Sequence, residues 1–265
     1  MNMSKPFGCA VLTGATGGLG QALARQLSSV CDRLVLTGRK TEVLHSLCEQ
    51  AGAPAQVSAV AGDLTHEATR LALVHQTQAL GGCDLVIHNA GVNSFQHFES
   101  QPAHTLAHML QINLVAPMLL SQQLWAVRRP QADVQMVFIG SAFGQLGFPG
   151  FAAYSASKFG LRGFAEALQR EWGDPHMRVR YFSPRATDTD INTPEVRRMC
   201  QALGAPLDSP ERVAELFMQF LQGHETMQQV GDGDAPEPLL DAADRKARDQ
   251  FFAQRWPLIR THCPI

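Results

Sequence analysis

The chain lacks any large excess of charge and any long apolar run, and these two absences exclude broad classes of function. It has 22 Lys and Arg residues against 24 Asp and Glu residues in 265, so nothing electrostatic favours nucleic acid as a partner. The amino-terminal segment MNMSKPFGCAVLTGATGG has only a short apolar stretch before its glycines. This pattern predicts neither a signal peptide nor a membrane-spanning helix, and we expect a soluble, cytoplasmic protein.

The cysteines form no CxxC pair and no Cys/His cluster with the spacing of a zinc site. The six are scattered through the chain as Cys9, Cys31, Cys48, Cys83, Cys200 and Cys263. Such residues are typical of small buried side chains or of free thiols in a reducing compartment. No metal site is predicted.

Apolar and helical segments alternate along most of the chain. Hydrophobic residues make up 45% of it and charged residues 17%, which suits a single large core. Short apolar runs bounded by Gly, Asp, Pro or Ser predict buried strands at residues 7–12, 33–37, 56–60, 84–88, 134–139, 179–182 and 227–230. Helical patterns lie between them at residues 19–29, 41–50, 66–80, 102–125 and 153–172. Pro117 inside the fourth helical segment predicts a kink just after Asn113.

This alternation predicts an α/β fold. We expect a single Rossmann-type, doubly wound domain whose mostly parallel, seven-stranded sheet is flanked by helices. The catalytic domain is predicted to cover residues 1–240, and residues 241–265 would form a carboxyl-terminal extension.

Tyr154 and Lys158 are four residues apart in a predicted helix, so their side chains project from the same face. A neighbouring ammonium favours the phenolate, which would lower the pKa of Tyr154 and make it a usable acid or base near neutral pH. Ser141 precedes Tyr154 by thirteen residues. A Tyr and a Lys at this spacing also occur by chance on exposed helices, so the rest of the chain must decide between the two interpretations.

A glycine-rich turn, Thr13-Gly-Ala-Thr-Gly-Gly-Leu-Gly20, follows the first predicted strand and opens the first predicted helix. Glycines allow the backbone to approach a pyrophosphate, which the free N–H groups of a helix N-terminus can then bind. In this strand–turn–helix context the turn predicts a dinucleotide site. Its predicted cofactor contacts are Gly14, Thr16, Gly17, Gly18, Leu19 and Gly20.

Six ordered motifs together resemble the classical short-chain dehydrogenase/reductase family. They are Thr13-Gly14-x-x-x-Gly18-x-Gly20, Asp63-Leu64, Asn89-Ala90-Gly91, Asn113, Ser141 and Tyr154-x-x-x-Lys158, and the resemblance covers about residues 7–233. The chain also fits Gly14-x-x-Gly17-x-x-Gly20, a spacing of the extended subfamily of sugar-nucleotide epimerases and dehydratases. The short chain, the Asn-Ala-Gly motif and the thirteen-residue interval favour the classical subfamily.

The resemblance implies catalytic roles for four residues. Tyr154 would exchange a proton with the substrate oxygen, which Ser141 would hold by a hydrogen bond. Lys158 would lower the pKa of Tyr154 and, beside it, contact the nicotinamide ribose. Asn113 would anchor a water molecule that connects Lys158 to solvent, unless it only fills a helix kink.

The resemblance also implies contacts to the adenosine half of a cofactor. Asp63 and Leu64 would contact the adenine, although Asp63 could instead cap the helix that follows. Asn89, Ala90 and Gly91 would border the adenosine.

The end of the second predicted strand favours NADP(H) over NAD(H). Enzymes of this fold that prefer NAD usually have a carboxylate there, which hydrogen-bonds the ribose 2′-hydroxyl. This chain has Thr37 instead, and Arg39 follows two residues later, where a guanidinium could bind a phosphate. Arg39 could alternatively be a solvated residue at a helix start.

The segment after the sixth predicted strand departs from the family pattern. Thr187 and Thr189 match the positions that the family uses to contact the nicotinamide carboxamide. Arg185 stands where the family usually has Gly. Its guanidinium could bind the cofactor or an acidic group of the substrate, or point to solvent; we expect it to contribute to cofactor or substrate binding.

Apolar residues predominate in the three segments expected to enclose the substrate, residues 92–98, 143–151 and 194–207. They include Phe95, Phe98, Phe143, Leu146, Phe148, Phe151 and Met199. A lipophilic ketone or acyl chain fits such walls better than a sugar does.

The extension of residues 241–265 is amphipathic and basic. We expect it to pack on the domain or on a partner subunit rather than on a membrane surface. The resemblance further implies a homodimer or homotetramer, formed through the two long helices that end near Trp125 and Trp172.

Together these patterns predict NADPH-dependent reduction of a ketone or 3-oxoacyl group to a secondary alcohol, with Tyr154 as proton donor. One alternative is an oxidative dehydrogenase of secondary alcohols or hydroxysteroids. Another is a non-catalytic NADP(H)-sensing protein, although a sensor has no need of the Tyr–Lys pair.

Overall fold

Seven parallel strands form one sheet in the part of the chain that the structure describes. The computed structural model describes residues 5–50, 56–172, 176–229 and 245–263. The strands are β1 (Phe7–Leu12), β2 (Cys31–Gly38), β3 (Gln56–Ala61), β4 (Leu85–His88), β5 (Val134–Ile139), β6 (Met177–Ser183) and β7 (Met227–Gln229). Their order is β3-β2-β1-β4-β5-β6-β7, and every neighbouring pair is parallel. The predicted α/β fold with a doubly wound, seven-stranded sheet is therefore confirmed.

Helices cover both faces of the sheet. They are α1 (Gly18–Leu27), α2 (Thr41–Gln50), α3 (Glu67–Ala79), α4 (Ala103–Leu110), α5 (Ala116–Ala126), α6 (Ala152–Trp172), α7 (Pro194–Ala202), α8 (Pro210–Gln222) and α9 (Arg245–His262). On one face α1 and α8 bury Leu23 and Phe217 against the strands. On the other face α3, α5 and α6 bury Leu73, Leu120 and Leu161. Because both faces are covered, the central strands are apolar throughout, which is the pattern that predicted them.

The predicted helix of residues 102–125 contains an irregular turn. Residues Gln111–Val115 form a π-helical turn between α4 and α5, and the backbone N–H of Ala116 donates to the carbonyl of Gln111, five residues earlier. Pro117 lies in the first turn of α5 and has no N–H to donate to the carbonyl of Asn113. The interruption predicted near Asn113 is thus present as a π turn, and this turn sets the direction of the Asn113 side chain.

The carboxyl-terminal helix α9 packs against α7 of the same chain. Ile259 on α9 is fully buried, and Cys263 just after the helix is buried with it. The predicted domain boundary at residues 240 and 241, and Val230 at the predicted end of β7, lie outside the described residues. Within the described ranges, no helix is both long and apolar enough to cross a membrane.

Candidate active site

The candidate site lies beyond the carboxyl ends of β1, β4, β5 and β6. Because all strands are parallel, these ends meet at one edge of the sheet, and the strand order reverses between β1 and β4. The Thr13 hydroxyl ties the two ends together, since its Oγ1 accepts from the backbone N–H groups of Asn89 (2.9 Å) and Ala90 (3.0 Å). The Asn89 amide donates in return to the carbonyls of Thr13 and Gly14.

The glycine turn is held tightly against β4 but is open at its tip. Gly14 has a φ of +66°, and a Cβ atom there would lie 2.7 Å from the Cα of Ala90, so only glycine fits. A Cβ atom on Gly17, by contrast, would meet only the carbonyl of Gly14 at 3.5 Å. On the other side, Thr16 lies against Gly38 at the end of β2.

The N-terminus of α1 fits an anionic ligand. Its N-cap, Gly17, makes no side-chain capping bond, and no acidic residue occupies the first turn. The first N–H groups of the helix, on Gly18 and Leu19, therefore have no side chain competing for them, and the helix dipole favours negative charge there. Gly20 packs the helix onto the turn, because a Cβ atom there would collide with the Gly14 carbonyl. These features fit the pyrophosphate of a dinucleotide.

Thr37, Arg39 and Asp63 are the residues expected beside the adenosine half of a cofactor. The Thr37 hydroxyl is buried without a hydrogen-bond partner among the described residues, and Arg39 is exposed just beyond it. Burial raises the pKa of Asp63, but hydrogen bonds from Thr65 and the charges of His108 and Arg39 outweigh this and lower it. Asp63 accepts from the backbone N–H and the hydroxyl of Thr65, both at 2.9 Å, and so stabilises the turn before α3. It does not cap α3 as the alternative interpretation proposed, because the N-cap of that helix is His66.

Leu64 lies in the core rather than at the surface of this site. Its side chain is buried, and its carbonyl accepts from Arg70 at 2.8 Å.

The Ser141 side chain interacts with the Tyr154 hydroxyl and favours its phenolate form. Ser141 lies just after β5, where its Oγ also accepts from the N–H of Phe143 at 3.2 Å and caps the short turn Ala142–Gly144. Tyr154 is in the first turn of α6 and is only 9% exposed. Burial raises the pKa of Tyr154 to about 12, although the interaction with Ser141 lowers it.

Lys158 does not lower the pKa of Tyr154 in this structure. The sequence predicted a lowered pKa for this phenol, and that prediction is wrong, because the pKa is raised. The Lys158 Nζ donates to the carbonyl of Ile139 at 3.0 Å and lies 5.8 Å from the centre of the Tyr154 ring. Burial also lowers the pKa of Lys158 to about 8. The two side chains share a helix face as predicted, but desolvation of the phenol dominates.

Asn113 links the segment after β4 to α6. Its Oδ1 accepts from the N–H of Val92 (2.8 Å), and its Nδ2 donates to the carbonyl of Val92 (2.9 Å) and to Ser157 Oγ (3.0 Å). Ser157 in turn donates to the carbonyl of Tyr154 at 2.7 Å. Through Ser157 the π turn is thus connected to the backbone of Tyr154.

Gly91 lies between Asn113 and Lys158 and leaves space there. A Cβ atom on Gly91 would lie 3.4 Å from Asn113 Oδ1 and 3.7 Å from Lys158 Nζ. The sequence motif Asn89-Ala90-Gly91 therefore holds the glycine turn and brings the Gly91 backbone close to Asn113 and Lys158.

Arg185 does not point to solvent. Its Nε and Nη2 donate to the two carboxylate oxygens of Asp208, at 3.1 Å and 2.9 Å. Thr187 donates to the carbonyl of Arg185 at 3.1 Å. Thr189 lies against the glycine turn, since a Cβ atom on Gly18 would lie 2.6 Å from its methyl group.

An apolar cluster packs around Tyr154. Five of the seven residues expected in the substrate walls belong to this cluster or pack against it: Phe95, Phe143, Phe148, Phe151 and Met199. Leu146 is buried but is not part of the cluster, and Phe98 is 61% exposed. The sequence did not predict that α9 would complete the cluster. Ile259 and Cys263 are part of it, and Phe252 on α9 packs edge-on against Phe148 with ring centres 5.3 Å apart.

Comparison with known proteins agrees with this geometry. The sequence model described as short chain dehydrogenase matches residues 8–199. The chain belongs to the short-chain dehydrogenase family. The members of this family are oxidoreductases that use NAD(P) cofactors, and the site described above has the shape for one.

Individual short-chain dehydrogenases are similar to the chain over most of its length. An acetoacetyl-CoA reductase of Acinetobacter is 27% identical over 227 residues, covering 81% of this chain and 90% of the relative. A 3-ketodihydrosphingosine reductase of Bos taurus is 28% identical over 198 residues, covering 71% of this chain and 58% of the relative. A solved structure of a metagenomic short-chain oxidoreductase in complex with NADP is 26% identical, with a TM-score of 0.68, and the alignment covers 85% of this chain and 97% of the other.

Three polar residues of this short-chain dehydrogenase were not assigned a role from sequence. Thr13 and Ser157 hold the site together through the hydrogen bonds described above. Their positions inside the glycine-rich motif and the Tyr–Lys motif could have indicated this role. Ser183 at the end of β6 has a buried hydroxyl that meets no hydrogen-bond partner within the described part of the chain. No sequence pattern singled it out, because burial of one Ser becomes visible only in the folded sheet.

Proposed function

We propose that the protein reduces a carbonyl group to a secondary alcohol with NADPH, and that Tyr154 donates the proton. The observation that carries this proposal is the burial of the Tyr154 hydroxyl beside the Ser141 side chain. Since burial raises the pKa of Tyr154 to about 12, the phenol keeps its proton at neutral pH. A protonated phenol suits the reductive direction, in which the oxygen of the product must gain a proton; oxidation would instead need the phenolate.

Each proposed catalytic residue has a physical task. Ser141 and Tyr154 would hold the carbonyl oxygen by two hydrogen bonds, and Tyr154 would transfer its proton to that oxygen. Lys158 would bind the ribose hydroxyls near the space left by Gly91. Asn113 would keep Val92 and Ser157 in place beside them. A bound nicotinamide supplies the hydride, while the protein supplies position and the proton.

Preference for NADPH is supported at the end of β2. With Thr37, this position has no carboxylate that would repel a phosphate. The positive charge of Arg39 acts on the same region, since it helps to lower the pKa of Asp63. The metagenomic relative was solved with NADP. We propose Arg39 as the residue that binds the 2′-phosphate, with the pyrophosphate at the N-terminus of α1.

The substrate is proposed to be a lipophilic ketone or a 3-oxoacyl compound. The cluster beside Tyr154 is built from Phe, Met and Ile side chains. Two relatives are named as reductases, of acetoacetyl-CoA and of 3-ketodihydrosphingosine. These names support reduction as the reaction and a 3-oxo group as the first one to test.

A homodimer or homotetramer is proposed from the outer helices. Leu110, Met118, Leu119 and Phe159 are each at least 39% exposed on α4, α5 and α6. Light scattering of the purified protein tests this, and replacing Phe159 by Glu should shift the mass towards that of a monomer.

The chain contains two tyrosines, and this provides a matched control for the main experiment. NADPH consumption would be measured with 3-oxoacyl thioesters, cyclic ketones and steroid ketones. Tyr154→Phe should lower kcat/KM by about 10²–10⁴-fold while NADPH still binds. Tyr181→Phe removes the same hydroxyl from a buried residue of β6 and should leave most of the activity.

Two results would contradict the proposal. NADPH binding without turnover of any ketone would favour a non-catalytic NADP(H) sensor. Oxidation of secondary alcohols with no detectable reduction would favour a dehydrogenase of the hydroxysteroid type.

A further inference from the structure

The segment between β6 and α8 is closed at its base by Arg185 and Asp208. We call residues 186–207 the flap. At its two ends the guanidinium and the carboxylate form two parallel hydrogen bonds, and their side chains are only 24% and 14% exposed. Two-point bonds of this kind fix orientation as well as distance.

Backbone hydrogen bonds beside this pair make the base narrow. The N–H of Asp208 donates to the carbonyl of Ala186 (3.0 Å), and the N–H of Asp188 donates to the carbonyl of Asp208 (2.8 Å). Inside the flap, Arg197 donates to the carbonyls of Thr189 and Asn192. The flap is therefore braced internally, and its base fixes where its two ends leave the rest of the domain, while α7 also packs against α9.

The flap carries both halves of the proposed site. Thr187 and Thr189, the proposed nicotinamide contacts, lie directly beside Arg185 and Asp208 in the base. Further along, α7 places Val196 and Met199 in the cluster that covers Tyr154. A change at the base would therefore act on cofactor and substrate binding together.

We propose that Arg185 and Asp208 form a positioning pair that keeps the flap closed over the cofactor and substrate sites. The inference rests on the proposed function and deepens it. The chain has Arg where the family pattern has Gly, and glycine cannot form this ion pair. Arg185 thus acts on the ligands through the flap, instead of binding a phosphate or an acidic substrate directly as the sequence suggested.

The pair predicts a specific kinetic pattern. When only a fraction of molecules has the flap closed, the apparent dissociation constant is the intrinsic one divided by that fraction. Arg185→Met should therefore raise the Kd of NADPH and the KM of the ketone by a similar factor, about tenfold, while kcat at saturation changes less than about twofold. A residue that touched the reacting atoms would lower kcat instead.

A second measurement does not depend on turnover. Trypsin can cut after Arg197 and Arg198 only when α7 leaves its packed position, and mass spectrometry identifies the cuts. In the protein without ligand, Arg185→Met should be cut about ten times faster than the original chain, because cleavage follows the open population. NADPH at saturation should slow the cutting in both proteins.

Charge exchange and a distant ion pair serve as controls. The double variant Arg185→Asp with Asp208→Arg should recover most of the NADPH affinity and protease resistance. Arg212→Met removes one partner of an exposed pair with Glu215 on α8, outside the flap, and should change neither. If Arg185→Met fails to fold, Asp208→Asn and the exchanged variant carry the same comparison.

The possible outcomes separate this inference from the proposed function. If no ketone is reduced but NADPH affinity and cleavage rate move together, the positioning pair stands and the reductase proposal falls. The inference is overturned if Arg185→Met and Asp208→Asn change neither the NADPH affinity nor the rate of tryptic cleavage. It is also overturned if kcat falls while KM stays constant. The inference would also be overturned if the exchanged double variant bound NADPH as weakly, and was cleaved as fast, as the single variants.

Discussion

Ser141 interacts with the Tyr154 hydroxyl in a site where burial has the larger effect on the pKa of the phenol and raises it. Lys158, four residues further along α6, donates instead to the carbonyl of Ile139. The phenol of Tyr154 is therefore expected to be protonated at neutral pH, and this expectation can be tested directly.

The phenol of Tyr154 should resist ionisation in the folded protein. Its pKa is raised to about 12 and that of Tyr181 is also raised, both by burial. Near pH 10, about half of any exposed phenol is ionised, but the tyrosinate absorbance of the folded chain should stay close to zero. In urea both tyrosines should ionise normally.

Tyr181→Phe assigns the remaining signal to Tyr154 alone. In the Tyr181→Phe protein, Ser141→Ala should move the ionisation of Tyr154 to still higher pH, because the interaction that favours the phenolate is lost. A tyrosinate signal with a midpoint near or below the usual value of about 10 would show that the phenol is not desolvated as described.

Arg39 and Lys40 are neighbouring exposed cations and allow a controlled test of cofactor choice. Arg39→Ala should raise the KM for NADPH by about tenfold, because a charge-assisted contact to the 2′-phosphate is lost. The KM for NADH should stay unchanged. Lys40→Ala should have little effect on either, and equal losses in both variants would point to general attraction by positive charge.

His88 should make the stability of the protein sensitive to acid. Its ring is buried, stacks on Phe138 and lies 3.0 Å from the Ser121 hydroxyl, and burial lowers its pKa to about 3. The unfolded chain binds this proton near the ordinary value of about 6.5, so the contribution of His88 is fully present above that pH and is lost as pH falls towards 3. Between these two pH values, the contribution of His88 to the free energy of unfolding should fall by about 1.4 kcal/mol per pH unit.

Urea unfolding at several pH values measures this slope. His88→Gln should flatten it, because glutamine can donate to Ser121 without titrating. His45→Gln, which changes an exposed imidazole on α2, is the control. Identical slopes for the original chain and His88→Gln would contradict the prediction.

Leu258 and Ile259 are adjacent on α9 but differ fully in burial, at 40% and 0% exposure. Ile259→Ala should lower the free energy of unfolding by about 2–4 kcal/mol, because it leaves a cavity against the cluster beside Tyr154. Leu258→Ala should change it by less than about 0.5 kcal/mol. Equal small effects in urea unfolding would mean that α9 is not packed on the domain in solution.

The sequence predicted the strands and most helices because buried parallel strands are short apolar runs and their turns need glycine. The ordered motifs, through their resemblance to a family, predicted the site residues: Ser141 follows a strand, whereas Asn113, Tyr154 and Lys158 lie in helical segments. The sequence could not predict the partner of Arg185, because Asp208 is 23 residues away and only the folded flap brings them together.

The pKa of Tyr154 and the place of α9 depend on tertiary packing in a similar way. Spacing showed that Lys158 shares a helix face with Tyr154, but not how far burial would outweigh it. The amphipathic pattern of residues 241–265 indicated that one face is buried, but not against which surface.

The π turn at Gln111–Val115 makes the site and the core depend on the length of one helix. Each residue advances an α-helix by about 100° around its axis, so an extra residue held in a π turn rotates everything that follows by that angle. Asn113 can then face Val92 and Ser157 while Ser121, further along, faces His88. Deleting one residue here would leave a regular helix except at Pro117, yet it would turn either the amide of Asn113 away from Val92 or α5 away from the sheet. Insertions and deletions, more than substitutions, should therefore be the changes that this stretch of chain tolerates least.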